Sequence, residues 1–363
     1  MDRLSNLFCF PLRRTRPDTS IAEDLQEKEK AVADVQAAPL LRKHLVPVTS
    51  YKSGFTTNSN VLTSSERIAQ PTPTTPEVDE TEETVETQAA PALKLIALSD
   101  SALGVHRAQS NLPRPLVKPP SPVGPTNNAL PAPKSAYQAT YPKGSINPTA
   151  TIPGGFGFYL SGEQSFTSKL KGSAPKEVVM SYRLMLEKGF QFQKGGKLPG
   201  IFGGDGDLSY GCSGGRKEGR CQCFSIRVMW RANGQGELYT YLPPTDANDA
   251  ILAKIPPQSI RNTDYGYSIG RGAFNFNNAV GKWMTFALRV RLNTPGKKDG
   301  ELELWVDGKS VIKAGGLVLR GNGEASRIKG LQFQTFFGGD SKEWASPKKQ
   351  RAWFADVTGV IVQ

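Results

Sequence analysis

The 363-residue chain has two histidines, His44 and His106, and neither lies beyond residue 135. From Ala136 to Gln363 there is therefore no imidazole, which excludes a Ser-His-Asp or Cys-His nucleophile relay and any histidine-ligated metal in that stretch. Proton transfer there must fall to Tyr, Lys, Asp, Glu or water. Long apolar runs are missing too, so no membrane contact is expected. The N-terminus, MDRLSNLFCFPLRRTRP, lacks the unbroken apolar core and small-residue cleavage site of a secretory signal. No Asn-x-Ser/Thr acceptor with x other than Pro occurs, although a conventionally secreted protein of this size would often carry one. These absences predict a chain that is cytoplasmic or exported by an unconventional route.

What is present divides the chain unevenly. Residues 1–135 are rich in Pro, Ser, Thr and Ala, with runs such as QPTPTTPEVDETEETVETQAAPA and RPLVKPPSPVGPTNNALPAPK. Such composition buries too little apolar surface to offset the backbone entropy of folding. The acidic run Glu77–Glu86 and the Pro-rich run Pro113–Pro133 predict a solvated strip followed by a stiff linker. A short helix within AEDLQEKEKAVADVQAAPLLRKHL fits the apolar spacing, with nothing nearby to cover it. The expectation is a disordered tail and linker over 1–135 that contributes no core, then one folded domain over 136–363. Charge supports the division. Through Ala139 there are 15 Lys+Arg against 15 Asp+Glu, leaving 30 against 18 in Thr140–Gln363, so the whole formal charge of +12 falls on the domain. A polyanionic partner follows. The basic residues are scattered singly along strands, without a basic helix or a nucleic-acid module, which favours an acidic polysaccharide over nucleic acid.

Strand signals recur through the domain: VVMSYRLMLE, CFSIRVMWR, GELYTYLP, WMTFALRVRLN, GELELWVDGKSVI, IKGLQFQTFFGG and RAWFADVTGVIV. Alternation, β-branched and aromatic enrichment, and Gly, Asn or Asp at the breaks point to antiparallel pairing. RLNTPGKKDGELELWVDGKSV reads as two consecutive hairpins. These features predict an all-β, concanavalin-like jelly-roll β-sandwich.

The segment CFSIRVMWRANGQGELYTYLP places Ser225 and Arg227 on one strand and Tyr239 and Tyr241 on the next, each pair at spacing two and so on one face. If the turn sets Arg231 opposite Glu237, Arg227 faces Tyr241 and the four side chains share a surface. The alternative is a hairpin that merely decorates its solvent face with them. In EKGFQFQKGGKLPGIFGGDGD, Gln191, Gln193, Lys194 and Lys197 fall on a strand end and a Gly-rich loop. That loop lacks the spacing of a nucleotide-binding phosphate loop. TDYGYSIGRGAFNF presents Tyr265, Tyr267 and Arg271 among glycines, and IKGLQFQTFFGGDSKEW puts Gln332, Gln334 and Phe336 on one face.

The ordered set KGGKLPGIFGG, GCSGG, CFSIRVMWR, GELYTYLP, YSIGRGAF, GKW, GELELWVDGKSV, QTFFGGD and AWFADV resembles the fungal branch of polysaccharide lyase family 14, alginate- or glucuronan-type lyases with a jelly-roll fold. The resemblance spans nearly all of Tyr141–Gln363 and none of the tail. It implies β-elimination on a uronate polymer. No cofactor or metal site is expected, and the chain is expected to be a monomer. Such chemistry suits a domain without histidine. The C5 proton is very weakly acidic until the neighbouring carboxylate is neutralised, after which a base takes it and an acid protonates the leaving O4. By the resemblance, the catalytic set is Ser225, Arg227, Tyr239, Tyr241 and Lys197. Arg227 and Lys197 neutralise carboxylate, the tyrosines act as base and acid, and Ser225 positions. Lys197 is the alternative base. Nearby cations are expected to lower the tyrosine pKa. Gln191, Gln193, Lys194, Tyr267, Arg271, Gln332 and Gln334 are expected to bind substrate. Cys212 and Cys223 resemble a disulfide of secreted relatives, at odds with the missing signal. The rival functions are a non-catalytic acidic-glycan-binding lectin-like module and a hydrolase using Glu301 and Glu303.

Overall fold

The computed structural model describes residues 38–63, 65–66, 93–123, 130–172, 175–321, 323 and 325–363. Four short strands precede the expected domain boundary: β1 (Ser53–Thr56), β2 (Leu93–Leu95), β3 (Val105–His106) and β4 (Leu116–Val117). Then come β5 (Ala136–Tyr141), β6 (Phe156–Leu160), β7 (Glu177–Leu186), β8 (Gly195–Gly204) and β9 (Cys223–Arg231). β10 (Gln235–Tyr241), β11 (Ile260–Arg261), β12 (Tyr267–Asn275) and β13 (Met284–Arg291) follow. β14 (Gly300–Val306), β15 (Lys309–Leu317), β16 (Arg327–Phe337) and β17 (Gln350–Ile361) complete the set.

They form two sheets packed as a jelly-roll β-sandwich. One runs β15-β14-β13-β7-β17-β1-β2, with β5 also on β17 and β4 on β5; the other runs β11-β12-β10-β9-β8-β16-β6-β3. Between them lies an aromatic core in which Phe156, Phe158, Phe333 and Phe354 pack with Tyr182 and Phe286. The expected pairing of hairpins β13-β14-β15 is present.

The expectation that residues before 136 contribute no core is corrected. All ten residues of β7 are buried, which a strand facing water on one side would not show. Val178, Met180, Tyr182, Leu184 and Leu186 face the core between the sheets. Its other face is covered by the N-terminal segments: Leu41, Leu45, Val46, Val61, Leu62 and Leu93 pack with Val179, Ala287 and Val360. Residues 38–45 are helical, within the helix read from sequence, and this is the cover they supply. β1 pairs with β17, and β2 lies parallel to β1. Polar side chains on that face find partners in the same segments, since Ser181 Oγ donates to the Leu45 carbonyl and Arg183 to the Pro131 carbonyl at 2.7 Å. Both imidazoles therefore belong to the folded unit. His44 is buried, and His106 sits on the edge strand β3. The acidic run Glu77–Glu86 and Cys9 lie outside the described residues.

Candidate active site

The face of the eight-stranded sheet that turns away from the core carries a cleft of about 640 Å³. Its floor comes from five neighbouring strands: Lys197 on β8, Arg227, Met229 and Arg231 on β9, Tyr239 and Tyr241 on β10, Ser268 and Arg271 on β12, Gln334 and Phe336 on β16. The Cys212–Gly214 loop, Tyr265 and Trp344 form the walls.

Register explains the convergence. β9 and β10 pair two residues away from the sequence expectation, with Tyr239 opposite Arg227, Tyr241 opposite Ser225 and Glu237 opposite Met229. A slip of two preserves the face, so the four expected side chains still share one surface. Lys197 gets there differently. Gly200 pairs with Arg227 and Lys197 with Met229, so β8 spends three residues where β9 spends two. This β-bulge turns Lys197 onto the cleft side. Gly200 itself admits no side chain, because a Cβ would stand 2.0 Å from the Ile226 carbonyl oxygen and 2.5 Å from the Arg227 Cα.

Arg227 is buried and tied down: Nε donates to the Leu198 carbonyl at 3.1 Å, and its terminal nitrogens donate to the Gln334 side-chain and main-chain oxygens at 3.2 and 2.6 Å. These bonds use three of the five guanidinium N–H groups and leave two for a ligand. Burial pushes its pKa down to about 10, so the charge persists at neutral pH. Gln332 accepts from Ser225 Oγ at 3.2 Å and donates to Gln334 at 3.1 Å, so Ser225 acts on Arg227 through a chain of two glutamines.

The Lys197 ammonium lies 3.8 Å from the centroid of the Tyr239 ring and 3.5 Å from Met229 Sδ. Burial, with Arg227 and Arg231 nearby, holds its pKa well below the ordinary lysine value. The tyrosines go the other way. Burial raises both Tyr239 and Tyr241 above the usual phenol value, outweighing the cations beside them. This corrects the expectation that those cations win. Tyr241 is opposed by more interactions than its neighbour, since the Gly215 N–H donates to its hydroxyl at 3.4 Å and Arg220 and Arg227 stand close.

Beneath the floor sits a fully buried carboxylate that the sequence reading passed over. Glu237 accepts from Arg231 Nε at 2.8 Å, Arg271 Nε at 2.7 Å and Ser268 Oγ at 2.9 Å. The only sequence signal was the Arg231/Glu237 hairpin pairing. Arg231 and Arg271 thus share one buried acid, and with Arg227 also lining the cleft the positive charge stays in excess, which suits an anionic ligand.

Several of the other expected residues stand apart from the cleft, though Arg271 does not. Tyr267 points to the opposite side of β12 from Ser268, its hydroxyl 3.5 Å from the Asp249 carbonyl, and Tyr265 takes the cleft position instead. Arg271 reaches the cleft face through the irregular β10–β12 pairing. Gln191 and Gln193 have exposed side chains at the turn before β8, with Gln193 at φ 50°, and Lys194 pairs with Glu343. None of the three lines the cleft. Glu301 and Glu303 lie in the other sheet against Arg289. Cys212 and Cys223 are joined in a disulfide with Cα atoms 5.7 Å apart, anchoring the wall loop, while Cys221 is exposed and free. Among the described residues no group of three or more His, Cys, Asp or Glu is placed to hold a metal, and no helix is long and apolar enough to cross a membrane.

No curated protein matches the chain. Among solved structures, it resembles a family 14 alginate lyase of Aplysia kurodai at 32% identity, covering 63% of this chain and 83% of that one with a TM-score of 0.54. It also shares its fold with the alginate lyase vAL-1 of a Chlorella virus, at 23% identity over 72% of this chain and 93% of that one, TM-score 0.51. The profile of the family Polysaccharide lyase 14 matches residues 131–357, which contain the whole cleft floor, and the chain belongs to that family and is a polysaccharide lyase.

Proposed function

We propose that the chain cleaves an alginate-type uronate polymer by β-elimination, with Lys197 as the base. The observation that carries this reading is the meeting of Lys197, Arg227, Tyr239 and Tyr241 in one cation-rich cleft of a family 14 domain. The likeness to the Aplysia alginate lyase favours alginate over glucuronan. In this reading the two unspent Arg227 N–H groups hold the uronate carboxylate, where negative charge grows as C5 loses its proton. Burial and the neighbouring arginines hold the Lys197 pKa well below the ordinary lysine value, so its amine is more readily neutral than a free lysine's and can accept that proton. Tyr241, protonated because burial raises its pKa, donates to the leaving O4. A second reading makes Tyr241 the base, favoured by the donors around its oxygen.

The test is incubation of the protein with alginate, polyglucuronate and a neutral glucan while following ultraviolet absorbance from the conjugated C4=C5 uronate. Alginate should give the fastest rise and the glucan none. Absence of a rise with every uronate polymer would refute the function, and a faster rise with polyglucuronate would refute the substrate. Activity retained by Lys197→Met but lost in Tyr241→Phe would move the base to the tyrosine.

A further inference from the structure

We propose that β3 and the loop before β9 add a distal uronate-binding subsite to the cleft, built partly from the N-terminal segment that the family match does not reach. This rests on the proposed polyuronate substrate. Cross-strand partners form a single row over seven strands: His106 on β3, Tyr159, Gln332, Gly200, Arg227, Tyr239 and then Ser268 on β12. Directly paired residues point to the same face. The face that holds Arg227 therefore continues without a break to His106, four strands away, or roughly 19 Å at the usual strand spacing. A polymer extended along that face would span it with several further sugar residues.

The far end of the row is furnished for an acidic sugar. Tyr159 and Tyr210 are half-buried, with ring centroids 4.9 Å apart, and His106 Nε2 lies 3.2 Å from the Tyr210 hydroxyl. The Arg107 guanidinium lies 3.8 Å over the Tyr210 ring and is steadied by Asp207 at 2.9 Å. Arg216, on the disulfide-closed loop whose Cys212–Gly214 end walls the cleft, is exposed and has no carboxylate partner among the described residues. The Tyr159 hydroxyl lies within electrostatic reach of Arg107, Arg216 and Arg227 alike, so the patch and the cleft meet there. Aromatic faces receive the apolar face of a pyranose, and a guanidinium with free N–H groups pairs with its carboxylate. The occupant is the continuation of the same chain whose reacting sugar sits at Arg227.

Arg107→Ala and Arg216→Ala, singly and together, remove exposed charges from outside the cleft. For long polyuronate each should raise KM roughly 3- to 10-fold, as expected for one lost charge contact, with kcat unchanged. For trisaccharides, too short to span the roughly 19 Å from Arg227 to His106, KM and kcat should stay at wild-type values. His106→Ala should repeat the pattern. Equal effects on short and long substrates, or no effect on either, would overturn the subsite. Retardation in native gels run with and without alginate reads the same contact without catalysis: alginate should slow the double variant less than the wild type, and equal retardation would also overturn it. A protein that is retarded but releases no unsaturated product would sink the proposed function and leave the gel to judge the subsite.

Discussion

Phe55 tests whether the N-terminal segments are part of the fold. It lies on β1, is 0% exposed, and meets Phe166 edge to face with ring centroids 5.0 Å apart. Deleting a buried Phe side chain costs about 3 to 5 kcal/mol, because transfer free energy and the residual cavity both count. At about 2 to 4 °C per kcal/mol for a domain of roughly this size, Phe55→Ala should lower Tm by roughly 6 to 20 °C. Leu116→Ala is the control: Leu116 is 46% exposed on β4, and surface substitutions usually stay within about 0.5 kcal/mol. Both are read by thermal circular dichroism at one protein concentration. If residues before 136 were a detached tail, the two variants would melt together with the wild type. That result would refute the packing described above, and so would a chain beginning at Ala136 that melts like the full protein.

Three further outcomes follow from the site and its surroundings. Turnover should rise with pH as Lys197 loses its proton, well below the ordinary lysine range, and Lys197→Met should lose about 10²- to 10⁴-fold; a rise confined to the range above pH 10 would point to a phenol. Glu237→Gln leaves Arg231 and Arg271 without their shared charge, and breaking a buried pair costs about 3 to 5 kcal/mol, so a urea midpoint equal to wild type would contradict the described contacts. His44, buried and near Arg183 and Lys43, has its pKa lowered to about 4. The unfolded chain then binds the proton first, so stability should fall as pH drops from about 6.5 to 4, by roughly 1.4 kcal/mol per unit. In His44→Leu, melting measured across that range should lose this slope.

The sandwich and the four-residue face were legible because both follow from period two: a register error of two residues left Ser225, Arg227, Tyr239 and Tyr241 together. Lys197 and Arg271 were placed by likeness and loop composition, since the irregular pairings that aim them depend on how two strands count against each other. Tyr267 failed on register alone: it pairs with Thr240, so Ser268 beside it, opposite Tyr239, takes the cleft face. The signal of the N-terminal cover was present in VVMSYRLMLE, whose apolar residues occupy both faces of β7. A strand buried twice requires a second cover, and LLRKHLVPV carries Leu41, Leu45 and Val46 to supply it. Averaging composition over 135 residues hid those short segments. The upward shift of the tyrosines was not readable, because burial is a property of the assembled cleft rather than of neighbouring letters.

The carboxylate of Glu237 has one more consequence. An arginine held by nothing must give up rotamer freedom, about 1.5 to 2 kcal/mol for so long a side chain, when it meets a ligand. Arg231 and Arg271 have already given it up to Glu237, in the folded protein and before any sugar arrives. The floor therefore works as a preset template: a polyanion settling on it meets positive charge that is already aimed, and more of each contact remains as affinity.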